Sequence, residues 1–186
     1  MSIRPSKLSH AIAGSWEPYS HPAVYNVSSV DEDRRIVAGV PLGDPIPFTR
    51  LVSCLEPPYF LLYVLHTPRG EGDAGRYQSP AVSSEQFHEF MSRFGSYLSS
   101  DSRFDIWAHS PVEQATVVWD RHNQLFAYGP LIRLSSELDA LGFTPGEASI
   151  PFPHQHHYRE EFDADARALL ESFAWAYSPL RPEDAQ

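Results

Sequence analysis

Tyr59-Phe60-Leu61-Leu62-Tyr63-Val64-Leu65 is the longest apolar run in the chain. It is far too short to span a bilayer as a helix. Apolar at every position and rich in aromatic and branched residues, it reads as a strand buried on both faces, at the centre of a sheet. The fold is read outward from it.

Downstream, a glycine-rich loop covers residues 67–80. A helix then begins, with Ser83 as N-cap and Gln86 completing a capping box. Phe87, Phe90, Met91, Phe94, Tyr97 and Leu98 share one face of it, and it should end near Ser99. Residues 104–109 form the next strand. Residues 116–120 and 125–128 form a hairpin with Arg121, His122 and Asn123 at its tip, where asparagine tolerates the left-handed backbone. Gly129 and Pro130 open a second helix carrying Leu131, Leu134, Leu138 and Leu141. Gly142 ends it, with Phe143 folding back on the last turn. A strand is expected over 147–152 and a last helix over 163–177, its face made by Phe162, Ala166, Leu169, Leu170, Phe173 and Tyr177.

Upstream, strand signals fall at 24–27, 35–40 and 48–54, and residues 1–20 read as irregular. Residues 178–186 are expected to fray. The order over 59–152 is strand, helix, strands, helix, strand, which is that of a ferredoxin-like βαββαβ core. The expected fold is therefore α+β over one domain, 1–186: a mostly antiparallel sheet with helices mainly on one face, extra N-terminal strands and a C-terminal helix. Exposed sheet edges would suit a homodimer.

Composition bounds the function. The chain has 186 residues, 42% hydrophobic and 13% aromatic, enough to build a core without staples. With 24 acidic against 14 basic residues its formal net charge is −10, and no basic stripe offsets this. Phosphate backbones would be repelled, so nucleic acid is an unsuitable partner, whereas a basic protein is a suitable one. The single cysteine, Cys54, lies among apolar neighbours, which fits an inert core thiol and a reducing, cytoplasmic setting.

Three stretches could carry chemistry. The first is Pro153-His154-Gln155-His156-His157-Tyr158-Arg159-Glu160-Glu161. Zinc and related divalent metals take imidazole nitrogen and carboxylate oxygen, so His154, His156 and His157 are candidate ligands, with Glu160 or Glu161 as ligand or general base. Extended backbone puts His154 and His156 on one face and His157 on the other. Helical backbone instead sets His157 beside Glu160 and Glu161. A further ligand must come from elsewhere, His109 or His122. The bland alternative is a polar connection whose carboxylates favour the next helix N-terminus.

The second stretch is the hairpin tip, where Trp119, Arg121 and His122 would form an exposed recognition element. The third, Gly70-Glu71-Gly72-Asp73-Ala74-Gly75, matches a dinucleotide fingerprint, but no helix opens at its last glycine and its two carboxylates would repel a pyrophosphate. With no nucleophile elbow or phosphate loop present, the leading expectation is a non-catalytic binding protein for a basic partner. The alternative is a metal-binding protein or metal-dependent hydrolase built on 154–157.

Overall fold

A computed structural model describes residues 5–30 and 33–184 of the chain. Its strands are β1 (Leu8–Ile12), β2 (Ser15–Pro18), β3 (Val24–Val30), β4 (Asp33–Gly39), β5 (Phe60–Leu65), β6 (Gly75–Gln78), β7 (Phe104–Ser110), β8 (Ala115–Trp119), β9 (Gln124–Tyr128), β10 (Thr144–Pro145), β11 (His154–His156) and β12 (Ala176–Ser178). Its helices are α1 (Pro45–Ser53), α2 (Ser84–Ser100), α3 (Leu131–Ala140) and α4 (Asp163–Glu171). None of the described helices is long and apolar enough to cross a membrane.

Nine strands make one sheet in the order β10-β3-β4-β9-β8-β7-β5-β6-β12, and three make a second, β11-β1-β2. Every neighbouring pair is antiparallel except β10 with β3. The fold is thus mixed α+β and dominated by antiparallel sheet. The 59–65 run supplies β5, an interior strand flanked by β6 and β7 but third from the β12 edge of the large sheet, not at its centre.

Alternation in β7 sets the two faces. Phe104, Ile106 and Ala108 are fully buried, while Asp105, Trp107 and His109 point the other way and are half-buried. The first set continues through Leu61, Tyr63, Val117, Trp119, Leu125 and Ala127 into one core with the helices. Phe48 and Leu51 of α1, Phe87 and Phe94 of α2, Leu134 of α3 and Leu169 of α4 close it. The second face carries no helix residue of that core.

A ferredoxin-like core is not confirmed. Because β5 is antiparallel to both β6 and β7, those two are mutually parallel, and α2 connects them across β5. That is a split βαβ unit, but the strand it straddles precedes the unit instead of following it. After α3 the chain reaches β10, separated from β9 by β4 and β3.

Several local expectations need correction. Residues 48–53 belong to helix α1, not a strand, and Cys54 is its C-cap. Asp44 accepts the Ile46 N–H at 3.0 Å, Pro45 and Pro47 sit in the first turn, and Phe48, Leu51 and Val52 bury one face at helical spacing. The N-terminal segment is a hairpin, β1–β2, turning through Ala13 and Gly14, both with positive φ (48° and 86°); residues 1–4 lie outside the described residues. Residues 147–152 form no strand, since Pro151 and Pro153 lack ladder donors. Pairing resumes at β11, against β1. The last helix stops at Glu171 because side chains take the Leu169 carbonyl: the Ser172 hydroxyl at 2.6 Å and the Trp175 indole N–H at 3.0 Å. The chain then adds β12 to the sheet, and a 3-10 turn, Pro182–Asp184, docks instead of fraying. Asp184 is buried there, paired with Arg76 and accepting the Arg181 N–H at 2.7 Å. Residues 185–186 lie outside the described residues.

Candidate metal centre

The turn between β8 and β9 is an Asx-type turn built by Asp120. Its Oδ1 accepts the backbone N–H groups of His122 (2.9 Å) and Gln124 (2.7 Å), and Asn123 takes the left-handed backbone at φ 58°. Trp119, expected at an exposed tip, is instead fully buried. Its indole N–H donates to Asn123 Oδ1 at 3.1 Å and its ring packs on Phe48, so it is a core residue and no recognition element. The Arg121 backbone closes the turn's other side, its N–H reaching Asp105 Oδ1 at 2.7 Å and its carbonyl accepting the Ser102 hydroxyl at 3.2 Å.

Strand β11 brings the second component. Paired to β1 as Leu8↔His156 and His10↔His154, it is extended, so His154 and His156 share a face. That face meets the β8–β9 turn. The rings of His122, His154 and His156 form a near-equilateral triangle with centroids 4.8–5.3 Å apart, each pair edge-on at 66–76°. One ring nitrogen from each lies within 4.8 Å of the other two.

The nitrogens are oriented. His122 Nδ1 lies 3.0 Å from Asp120 Oδ2; a carboxylate only accepts, so Nδ1 carries a proton, and in the neutral form of the ring Nε2 is the atom with the free lone pair. His154 Nδ1 donates to the Phe152 carbonyl at 3.2 Å, with the same result. His156 Nδ1 is buried with no hydrogen-bond partner among the described residues. Burial first, then the charges of His122, Arg121 and His154, push the His156 imidazolium down to about 3, so this imidazole is neutral at physiological pH. Neutral imidazoles tied at Nδ1 to a carboxylate or a carbonyl are how proteins present histidine to a metal. A tetrahedral zinc-class ion sets its nitrogens about 3.3 Å apart. The three imidazoles are the donor type such an ion takes, and their nitrogens, within 4.8 Å of one another, would draw closer to hold it.

The other candidates lie elsewhere. His157 is on the opposite face of the extended segment, its Nε2 2.7 Å from the Ser9 hydroxyl. Burial lowers its pKa, with the Arg159 charge adding to the effect. His109 Nδ1 contacts Thr116 Oγ1 at 2.9 Å on the helix-free sheet face. Glu160 and Glu161 stand exposed on the 3-10 turn leading into α4, outside the triangle. The 70–75 glycines lead into strand β6, not a helix, and Glu71 is held by Arg103 at 3.2 Å. The Cys54 thiol is half-buried, and burial raises its pKa.

Reading the residues in order points to His122 only as one of two distant candidates. The pairing of β11 with β1, which selects it, has no local signal. No family model matches the chain, and neither a curated protein nor a solved structure does.

Proposed function

We propose that this chain binds a divalent transition metal of the zinc class through His122, His154 and His156. The observation that carries the reading is the triangle itself: three imidazole nitrogens within 4.8 Å of one another, two of them on rings whose Nδ1 is already engaged. Three nitrogen ligands with a fourth position open is the donor set of catalytic rather than closed structural zinc sites. Bound there, the ion would supply Lewis acidity and a water of lowered pKa, the chemistry of a metal-dependent hydrolase. The chain's own part is to hold the rings: Asp120 fixes the tautomer of His122, and the Phe152 carbonyl that of His154.

The test is elemental analysis of untagged protein purified without chelators and desalted. About one zinc-class ion per chain is expected, lost in His122→Ala and in His156→Ala but retained in His157→Ala. Protein that carries no such ion and binds none on titration with zinc would overturn the reading.

A second reading, an interaction protein for a basic partner, is supported by the net charge of −10 and by hairpin β1–β2, which leaves Ile12 and Trp16 43% and 48% exposed. Trp16→Ala should then weaken capture of that partner without touching metal content.

A further inference from the structure

One edge of the large sheet is closed over two residues only. β10 pairs with β3 at Val24 and Tyr25, and the Ala23 and Tyr25 carbonyls accept the N–H groups of Thr144 (3.0 Å) and Gly146 (2.9 Å). β3 runs on to Val30, paired with β4 along its inner side. From Asn26 onward its outer side has no neighbouring strand among the described residues. Outward backbone groups recur at every second residue of a strand. Those of Val27 and Ser29 therefore continue the row of Ala23 and Tyr25, and they meet no hydrogen-bond partner among the described residues. Val27 stands opposite the fully buried Ile36 yet is itself 42% exposed, so the helix layer stops short of this edge.

Open edges are normally guarded by charge, proline or brevity. The other edges of the two sheets follow that rule. β11 and β12 have three residues each, Pro179 follows β12, and β2 carries Glu17 and ends at Pro18. Asn26-Val27-Ser28-Ser29-Val30 carries neither a charge nor a proline.

We infer that this stretch joins two copies of the chain, edge to edge and antiparallel, through their large sheets. The pattern is its own complement. A two-fold axis beside Ser28 sets Val27 opposite Ser29 of the second copy and Ser29 opposite its Val27. Each pair then exchanges both of its hydrogen bonds, and every outward group of the two residues is satisfied. The two Val27 side chains lie diagonally across the seam and shield one another from water. A second copy is preferred to the basic partner considered above because a neutral edge presents no charge for such a partner to read. The contact is narrow, so the dimer is weak and reversible, with Kd in the micromolar range. It is separate from the three histidines and stands whether or not they hold a metal.

The test is analytical ultracentrifugation of the full chain from micromolar to millimolar concentration. High salt is used, which screens the repulsion between two chains of net charge −10. A monomer–dimer equilibrium is expected. Ser29→Pro deletes an outward N–H and none that faces β4, and the extended backbone it imposes on Ser28 is the one a strand already has. Folded by circular dichroism, it should dimerise at least about tenfold more weakly. A second measurement does not depend on that variant folding. In a Cys54→Ala background, Ser28→Cys places two thiols directly opposite across the axis. Their Cα atoms would be about 4.5 Å apart, within reach of a disulfide. Mild oxidation should link the two copies. Ser29→Cys in the same background faces Val27 rather than itself and should not link. A chain that stays monomeric throughout would overturn the inference and leave the edge to a strand of a different protein. Dimerisation unchanged in folded Ser29→Pro, or Ser28→Cys linking no faster than Ser29→Cys, would overturn it equally, since the copies would then meet through another face.

Discussion

Asp120 Oδ2 accepts the Nδ1 proton of His122 at 3.0 Å, while Oδ1 of the same carboxylate accepts the backbone N–H of His122 and of Gln124. One buried side chain thus both folds the β8–β9 turn and aims the imidazole that completes the triangle. Asp120→Asn separates the two tasks. The amide oxygen can still accept from the turn, but the amide nitrogen cannot accept from Nδ1, so His122 loses its fixed tautomer. Metal affinity, measured by chelator competition, should fall about 10–100-fold. The unfolding free energy should change much less than in Asp120→Ala, which orphans the turn amides at a cost of about 1–3 kcal/mol.

The histidine triangle was half legible in the sequence, and the reason is geometric. His154 and His156 announce themselves by the two-residue period of an extended segment, and the structure adopts that alternative. His122 stands far away in the chain and meets them only because β11 pairs with β1 instead of extending the 147–152 region. Such pairing depends on register between distant segments, which no local pattern encodes. Local signals succeeded where the chemistry is local. The strand over 104–109, the Ser83 cap and the Gly142 stop, with Phe143 N–H on the Leu138 carbonyl at 3.0 Å, are all present. Helix α1 is masked in the sequence by aromatic and branched residues of strand propensity, although Asp44-Pro45 carries a helix-start signal.

The capping box of α2 allows a small and specific test. Ser83 Oγ accepts the Gln86 N–H at 3.2 Å and Gln86 Oε1 accepts the Ser83 N–H at 2.9 Å. Both residues are exposed at the surface, so Ser83→Ala removes the cap without opening a cavity. Chemical denaturation should show a loss of about 1 kcal/mol with an unchanged slope. The metal content should not change.

Arg103 is the charge on which the chain's return to α4 depends. Its side chain is fully buried, bonded to both oxygens of Asp101 (2.9 and 3.0 Å), to Glu71 (3.2 Å), to Asp163 (3.0 Å) and to the Arg159 carbonyl (2.8 Å). Removing it leaves Asp101 and Glu71 as buried carboxylates without their cation. Arg103→Met should therefore cost about 3–5 kcal/mol in urea unfolding. Arg103→Lys should recover only part of this, because one ammonium cannot reproduce the forked contacts to Asp101 and the carbonyl together.

Lys7 gives the opposite sign. Its ammonium is fully buried, donates to the Asp120 carbonyl at 3.2 Å, and lies 4.5 Å from the Trp119 ring and 5.1 Å from the Phe104 ring. Burial pulls its pKa down to about 8, against the attraction of Asp120, Asp105 and Asp101. In the unfolded chain the same group titrates near 10.4. Between those values the unfolded state holds a proton that the folded state has released, so stability rises with pH across the window. Below about pH 8 the penalty of the buried charge is fully present, of order 3 kcal/mol. Above about pH 10.5 it is gone. In Lys7→Met the thioether fills the same apolar slot and the titration is removed. The mutant should be the more stable protein at pH 7, and its advantage over the wild type should shrink steadily from pH 8 to 10.5. Taking the difference between the two proteins cancels the tyrosines, which titrate in both. A mutant advantage that stays constant over that range would show that Lys7 keeps its proton throughout and that the acidic neighbours outweigh its burial.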